Sequence, residues 1–130
     1  TDTCPVCGMF VSLYPDWLAA VTYKNNPPHF FDGAKDMFIY LNNISKWGKG
    51  RKPENISTRW VTEYYTLRPI RAESAFYVTG SDVLGPMGHE FIPMSTMADA
   101  EAFAKDHGGR QILRFDDITP NIIKAVDQGR

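Results

Sequence analysis

Two stretches of this 130-residue chain carry the same order of local signals, strand, strand, helix, strand, and that repetition limits the folds open to it. In the first, residues 18–23 have a strand pattern, Asn25-Asn26-Pro27-Pro28 makes a turn, and 29–31 form a short apolar strand. Asp32 then stands where a carboxylate can cap the free amides of a helix start. Ala34, Met37, Phe38 and Leu41 supply the i, i+3, i+4, i+7 stripe of that helix, which should end near Asn42-Asn43. A loop over 45–55 carries Lys46, Trp47, Lys49, Arg51 and Lys52, and its plain reading is a solvated surface. The run over 56–67, rich in β-branched and aromatic residues, predicts a strand.

The second stretch predicts strands over 74–79 and 89–94, separated by a glycine-bearing loop 80–88. Thr96 with Asp99 marks a helix start, Met97, Ala100, Phe103 (or Ala104) and His107 form its apolar stripe, and Gly108-Gly109 ends it. A strand over 111–115 follows, and Thr119 with Pro120 opens a short terminal helix bearing Ile122, Ile123 and Val126 on one face. His29-Phe30-Phe31 and His89-Glu90-Phe91 take equivalent places in the two halves. These signals predict an α+β fold of two tandem ββαβ units, roughly 17–67 and 74–115, an internal pseudo-repeat with a short C-terminal helix. All of it is expected to form one domain over 1–130, with a loop-rich, metal-binding segment at 1–16.

Fourteen Lys+Arg against fifteen Asp+Glu give a net charge of -1, which argues against nucleic acid as the main partner because phosphate binding needs clustered excess positive charge. No apolar run approaches the ~20 residues of a membrane span. The chain starts at Thr1 without a charged and apolar leader, and the reading is a processed product. Both cysteines fall within the first seven residues, too close to staple distant parts of a fold. Their role is therefore expected to be chemical.

Cys4-Pro5-Val6-Cys7-Gly8 is half of a tetrahedral zinc site, but no second knuckle follows, so zinc would need histidines or carboxylates from elsewhere. A redox pair is a weaker reading, since no strand precedes the motif to deliver it to a helix N-terminus. A local disulfide is the bland one. Met9 opens a further possibility: a thioether two residues after a thiolate suits Cu(I), which prefers soft sulfur. In an extended segment Cys7 and Met9 point to the same side. Met87-Gly88-His89 repeats the pattern of two potential ligands across a glycine. Met37, Met94 and Met97 are expected to fill the core, and His29 and His107 to be structural. No nucleophile elbow, phosphate loop or carboxylate pair points to catalysis, so the chain reads as a binding protein and not an enzyme.

Cys7-Gly8-Met9, Gly85-Pro86-Met87-Gly88 and the stretch from Phe91-Ile92-Pro93-Met94 through Ala98-Asp99-Ala100-Glu101-Ala102-Phe103-Ala104 to His107-Gly108-Gly109 resemble the NosL family of nitrous-oxide-reductase accessory proteins. The resemblance covers residues 4–115 and is weakest in the middle loop. It implies a periplasmic, lipid-anchored metallochaperone for Cu(I), with two ββαβ units, serving a copper-receiving enzyme such as nitrous oxide reductase and its maturation machinery. The anchor would lie upstream of Thr1, and the carrier is expected to be a monomer. The resemblance assigns metal binding to Cys7, Met9 and Met87; Cys4 and His89, by which this sequence departs from the family pattern, are candidate fourth ligands. The rivals are a structural zinc-knuckle interaction domain and a thiol-disulfide oxidoreductase.

Overall fold

In a computed structural model, which describes residues 2–130, the extended runs pair into two antiparallel sheets. Thr1, the first residue of the expected segment 1–16, lies outside the described residues. The first sheet contains β1 (Ala19–Tyr23), β2 (His29–Phe31), β3 (Ile56–Thr62) and β4 (Pro69–Arg71), in the order β2-β1-β3-β4. The second contains β5 (Phe76–Thr79), β6 (Ile92–Met94) and β7 (Gln111–Arg114), in the order β6-β5-β7. Four helices accompany them: α1 (Ala34–Leu41), α2 (Ile44–Trp47), α3 (Met97–His107) and α4 (Pro120–Asp127). In each unit the first strand is central, its hairpin partner lies on one side and the strand after the helix on the other. The α+β class and the ββαβ order thus hold.

Several details depart from expectation, among them a short helix, α2, where the sequence predicts loop. The strand expected over 56–67 stops at Thr62, because the buried Glu63 accepts the amides of Tyr65 and Thr66 at 2.9 and 2.8 Å and so turns the chain. With Leu67 in the left-handed region at φ 60°, the chain doubles back as β4, which the sequence did not signal. Residues 89–91 do not belong to β6, so the counterpart of His29–Phe31 is Ile92–Met94 and not His89-Glu90-Phe91. Finally, Met97 is 44% exposed at the start of α3, whereas Met37 and Met94 are fully buried.

The helix ends follow their sequence signals. Thr96 Oγ1 accepts the Asp99 amide at 3.1 Å, and Thr119 Oγ1 accepts the Ile122 amide at 3.3 Å, each taking up a donor that the first helical turn leaves free. Gly108 closes α3 in the left-handed conformation at φ 69°.

Helix α1 sits at the centre of the molecule. Against the first sheet, its Tyr40 packs edge-on to Phe31 and His29, with ring centroids at 4.9 and 5.4 Å. Against the second unit, its Phe38 meets Tyr77, Phe91 and Phe115 at 5.1, 5.3 and 5.6 Å. One hydrophobic core thus runs through both units, and a smaller one of Val78, Ile92, Met94, Ala100 and Phe103 lies under α3. Residues 34–38 are all buried, including Lys35 and Asp36.

Burial of these polar groups requires partners, and the second unit and α4 supply those of Lys35. Its amide donates to Glu90 Oε1 at 2.6 Å, and its ammonium donates to the Met87 carbonyl at 3.1 Å and pairs with Asp127 at 2.9 Å. Glu90 is itself buried, also accepts the Phe91 amide at 2.8 Å, and has its carboxyl pushed up to about 8 by burial. Its second oxygen lies where a side chain at Gly33 would begin. Gly33 has an extended φ of 169°, so its lack of a side chain matters for space and not for backbone freedom.

Two outcomes follow. Gly33→Ala should cost about 1–3 kcal/mol by forcing Glu90 off its amides, read as a lower urea midpoint with an unchanged slope. His29, buried and hydrogen-bonded through Nδ1 to the Tyr40 hydroxyl at 2.8 Å, has its pKa driven down to about 4, first by burial and then by Arg51 and Lys49. It stays neutral in the folded protein while the unfolded chain takes up a proton near pH ~6.5, so this contribution is complete above pH ~6.5 and lost as the pH falls toward 4. Wild type should lose up to about 3 kcal/mol more over that range than His29→Gln, in urea titrations at a series of pH values.

Candidate metal centre

The opening segment forms a small closed loop before the first strand. The Cys4 amide donates to the Met9 carbonyl at 2.9 Å and the Gly8 amide to the Cys4 carbonyl at 2.8 Å, while Thr3 bridges Phe10. Gly8 makes the turn at φ 79°, and a side chain there would meet nothing, so glycine is needed for conformation alone. Both thiols end up against the start of α1.

Asp32 does not cap that helix. The N-cap position is Gly33, with no side-chain cap, and the Asp32 carboxylate instead accepts the Cys7 thiol, with Sγ at 3.3 and 3.2 Å from its two oxygens. Asp36, in the first turn of α1, accepts the Cys4 thiol at 3.5 Å. One potential ligand atom from each of Cys4, Cys7, Asp32 and Asp36 lies within 4.8 Å of the others. Cys4, Asp32 and Asp36 are buried and Cys7 is half-buried, so the site opens to solvent on the Cys7 side.

Burial dominates the electrostatics. It raises both thiols above their ordinary range, and hydrogen bonding to Asp32 raises Cys7 further against the lowering effect of the Met9 amide. The Asp36 carboxyl is also raised, by burial first and by the Asp32 charge as well. The resting site is therefore a protonated thiol pair held by carboxylates. An entering metal ion has to displace the thiol protons, and two acceptors stand beside them.

The remaining expected ligands occupy different surroundings. Met9 is half-buried within the opening loop. Met87 is 43% exposed at the tip of a tight turn closed by reciprocal Gly85 and Gly88 amide-to-carbonyl bonds of 2.8 and 3.0 Å. The Lys35 ammonium holds its carbonyl, so this turn borders the start of α1 from the second unit. His89 is exposed, packs toward Gly129 and lines a cavity with Asp82, His107 and Arg110, apart from the Cys/Asp cluster. His107 pairs with Asp82 at 2.9 Å.

Asp32 and Asp36 were not among the residues singled out from the sequence. Asp32 had a sufficient local explanation as a cap. The available signal is Asp36, a carboxylate on a mostly apolar helix, four residues after another and downstream of two cysteines.

The NosL family model matches residues 1–123. Copper-binding lipoprotein NosL of Stutzerimonas stutzeri is 29% identical over 131 residues, covering 97% of this chain; the chain spans 66% of that relative's length. The crystal structure of the copper chaperone NosL from Shewanella denitrificans superimposes with a TM-score of 0.77 at 27% identity, over 93% of this chain and 92% of that one. The solution structure of the apo-NosL protein from Achromobacter cycloclastes gives 0.54 at 28% identity, over 81% and 87%. With a family model that spans nearly its full length, the chain belongs to the NosL family.

Proposed function

We propose that the chain carries a copper ion, taken up as Cu(I) at the mouth formed by the opening loop and the start of α1. The observation that carries this reading is the convergence of two cysteine thiols and two carboxylates within 4.8 Å. Relatives described as a copper-binding lipoprotein and a copper chaperone support it. Cys4 and Cys7 supply the thiolates, which match the softness of Cu(I). Asp32 and Asp36 are hard donors of low value to Cu(I), so their role is to hold the thiol protons in the resting protein and accept them on loading. Met9, two residues after Cys7, and Met87, on the turn gripped by Lys35, are the thioethers available to complete a sulfur set. His89 is the weakest member of the expected ligand set, because its neighbours belong to a different surface.

The same four groups as a thiolate and carboxylate set would suit Zn²⁺, so zinc is the competitor an experiment has to exclude. We extend the reading to a monomeric, non-catalytic carrier in the periplasm, lipid-anchored upstream of the chain, that delivers to nitrous oxide reductase or a related copper enzyme. A mouth open on the Cys7 side favours such exchange, because a recipient's thiolates or imidazoles can enter stepwise while Cys4 still holds the ion. Transfer of copper from the loaded chain to metal-free nitrous oxide reductase, measured by recovery of the enzyme's absorption bands, tests the delivery step.

Titration against a Cu(I)-specific chelator should give about one equivalent per chain with sulfur-dominated X-ray absorption. Cys7→Ser should weaken binding by more than about 100-fold and Asp32→Asn by about 10–100-fold, with Met37→Leu unchanged. Equal losses at all three positions, or tighter retention of Zn²⁺ than Cu(I), would overturn the reading.

A further inference from the structure

The basic loop has no part in the metal site, and the fold enlarges it into a charged surface. The Lys24 amide donates to the Asn55 carbonyl at 2.9 Å, and Arg51 donates from Nε and Nη2 to the Pro27 carbonyl at 3.1 and 2.9 Å. The turn between β1 and β2 and the loop after α2 are therefore one face. It carries Lys24, Lys49, Arg51 and Lys52 against a single acid, Glu54, a net of +3 (four cations less one anion) in a chain whose total is -1. All three lysines are exposed, and none of the four cations has a salt bridge among the described residues.

The chemistry of this face selects its partner. Arg51, the group suited to directional recognition of a carboxylate, is spent on the Pro27 and Gly48 carbonyls and the Tyr23 ring. What remains is lysine, a flexible point charge without preset geometry, on two turn tips. Such an array fits a fluid sheet of anionic headgroups better than one shaped protein epitope. This face also lies at the far end of the β1–β2 hairpin from Asp32, which follows Phe31, the residue opposite Ala19.

We propose that this face docks on an anionic phospholipid surface, its lysines against the phosphates, so that the Cys4 and Cys7 mouth faces away from the bilayer. The 130-residue chain, carrying no lipid, should sediment with phosphatidylcholine vesicles containing phosphatidylglycerol but not with phosphatidylcholine alone, and salt should release it. Lys49→Gln with Lys52→Gln should lower the partition coefficient by about 25-fold, about five-fold per lysine. Lys105→Gln with Arg68→Gln, on α3 and just before β4, should lower it far less. Thermal midpoint and copper affinity should be unchanged in both pairs, which separates this test from that of the copper reading. Failure to bind phosphatidylglycerol vesicles, equal binding to neutral ones, or equal effects of the two pairs would overturn the proposal.

Discussion

Helix α1 is enclosed by protein over its whole first turn and a half, and the rest of the structure is arranged around that fact. A helix with one buried stripe can leave its polar residues in water. Here residues 34–38 are all buried, so Lys35 and Asp36 need partners inside the protein, as does Asp32 just before the helix. Each takes them from a different part of the chain: Asp32 and Asp36 from the cysteines of the opening loop, Lys35 from the Gly85-to-Gly88 turn, Glu90 and α4. The polar groups of one short helix thereby hold together three segments far apart in sequence.

The same arrangement gives the metal centre its character. Two thiols and two carboxylates are gathered where water is scarce, and in the resting protein they satisfy one another as thiol-to-carboxylate hydrogen bonds. Removing a proton from either thiol without adding a cation would leave excess negative charge in a buried site. The pair is thus kept unreactive until an ion of suitable softness arrives. Glu90 and Lys35 contribute at one remove, by fixing the backbone from which Asp32 and Asp36 project and by keeping the Met87 turn alongside.

Distribution of charge adds a second level of organisation. The acids that matter to the metal centre sit where α1 begins, while the lysines collect where the first hairpin turns and after α2. A near-neutral total charge hides this polarity completely.

Much of the architecture was legible in the residues because it rests on local rules. Strand and helix periodicities, the Thr96 and Thr119 caps, the stop at Gly108 and the order of elements in each unit depend on neighbours a few positions away. The end of β3 is not legible because Glu63 turns the chain with its side chain, which β propensity does not register, and the placement of residues 89–91 is not legible because Glu90 is drawn inward by the Lys35 amide, 55 residues away. The cysteines and the soft-metal chemistry could be read from the first nine residues, and the family resemblance from motifs along the chain. Which side chains join the cysteines could not, since an Asp after a strand and before a helix is fully explained as a cap. Only the packing of the second unit onto α1, which encloses the helix and fixes Gly33 against Glu90, decided that Asp32 would turn from the helix amides to the thiol of Cys7.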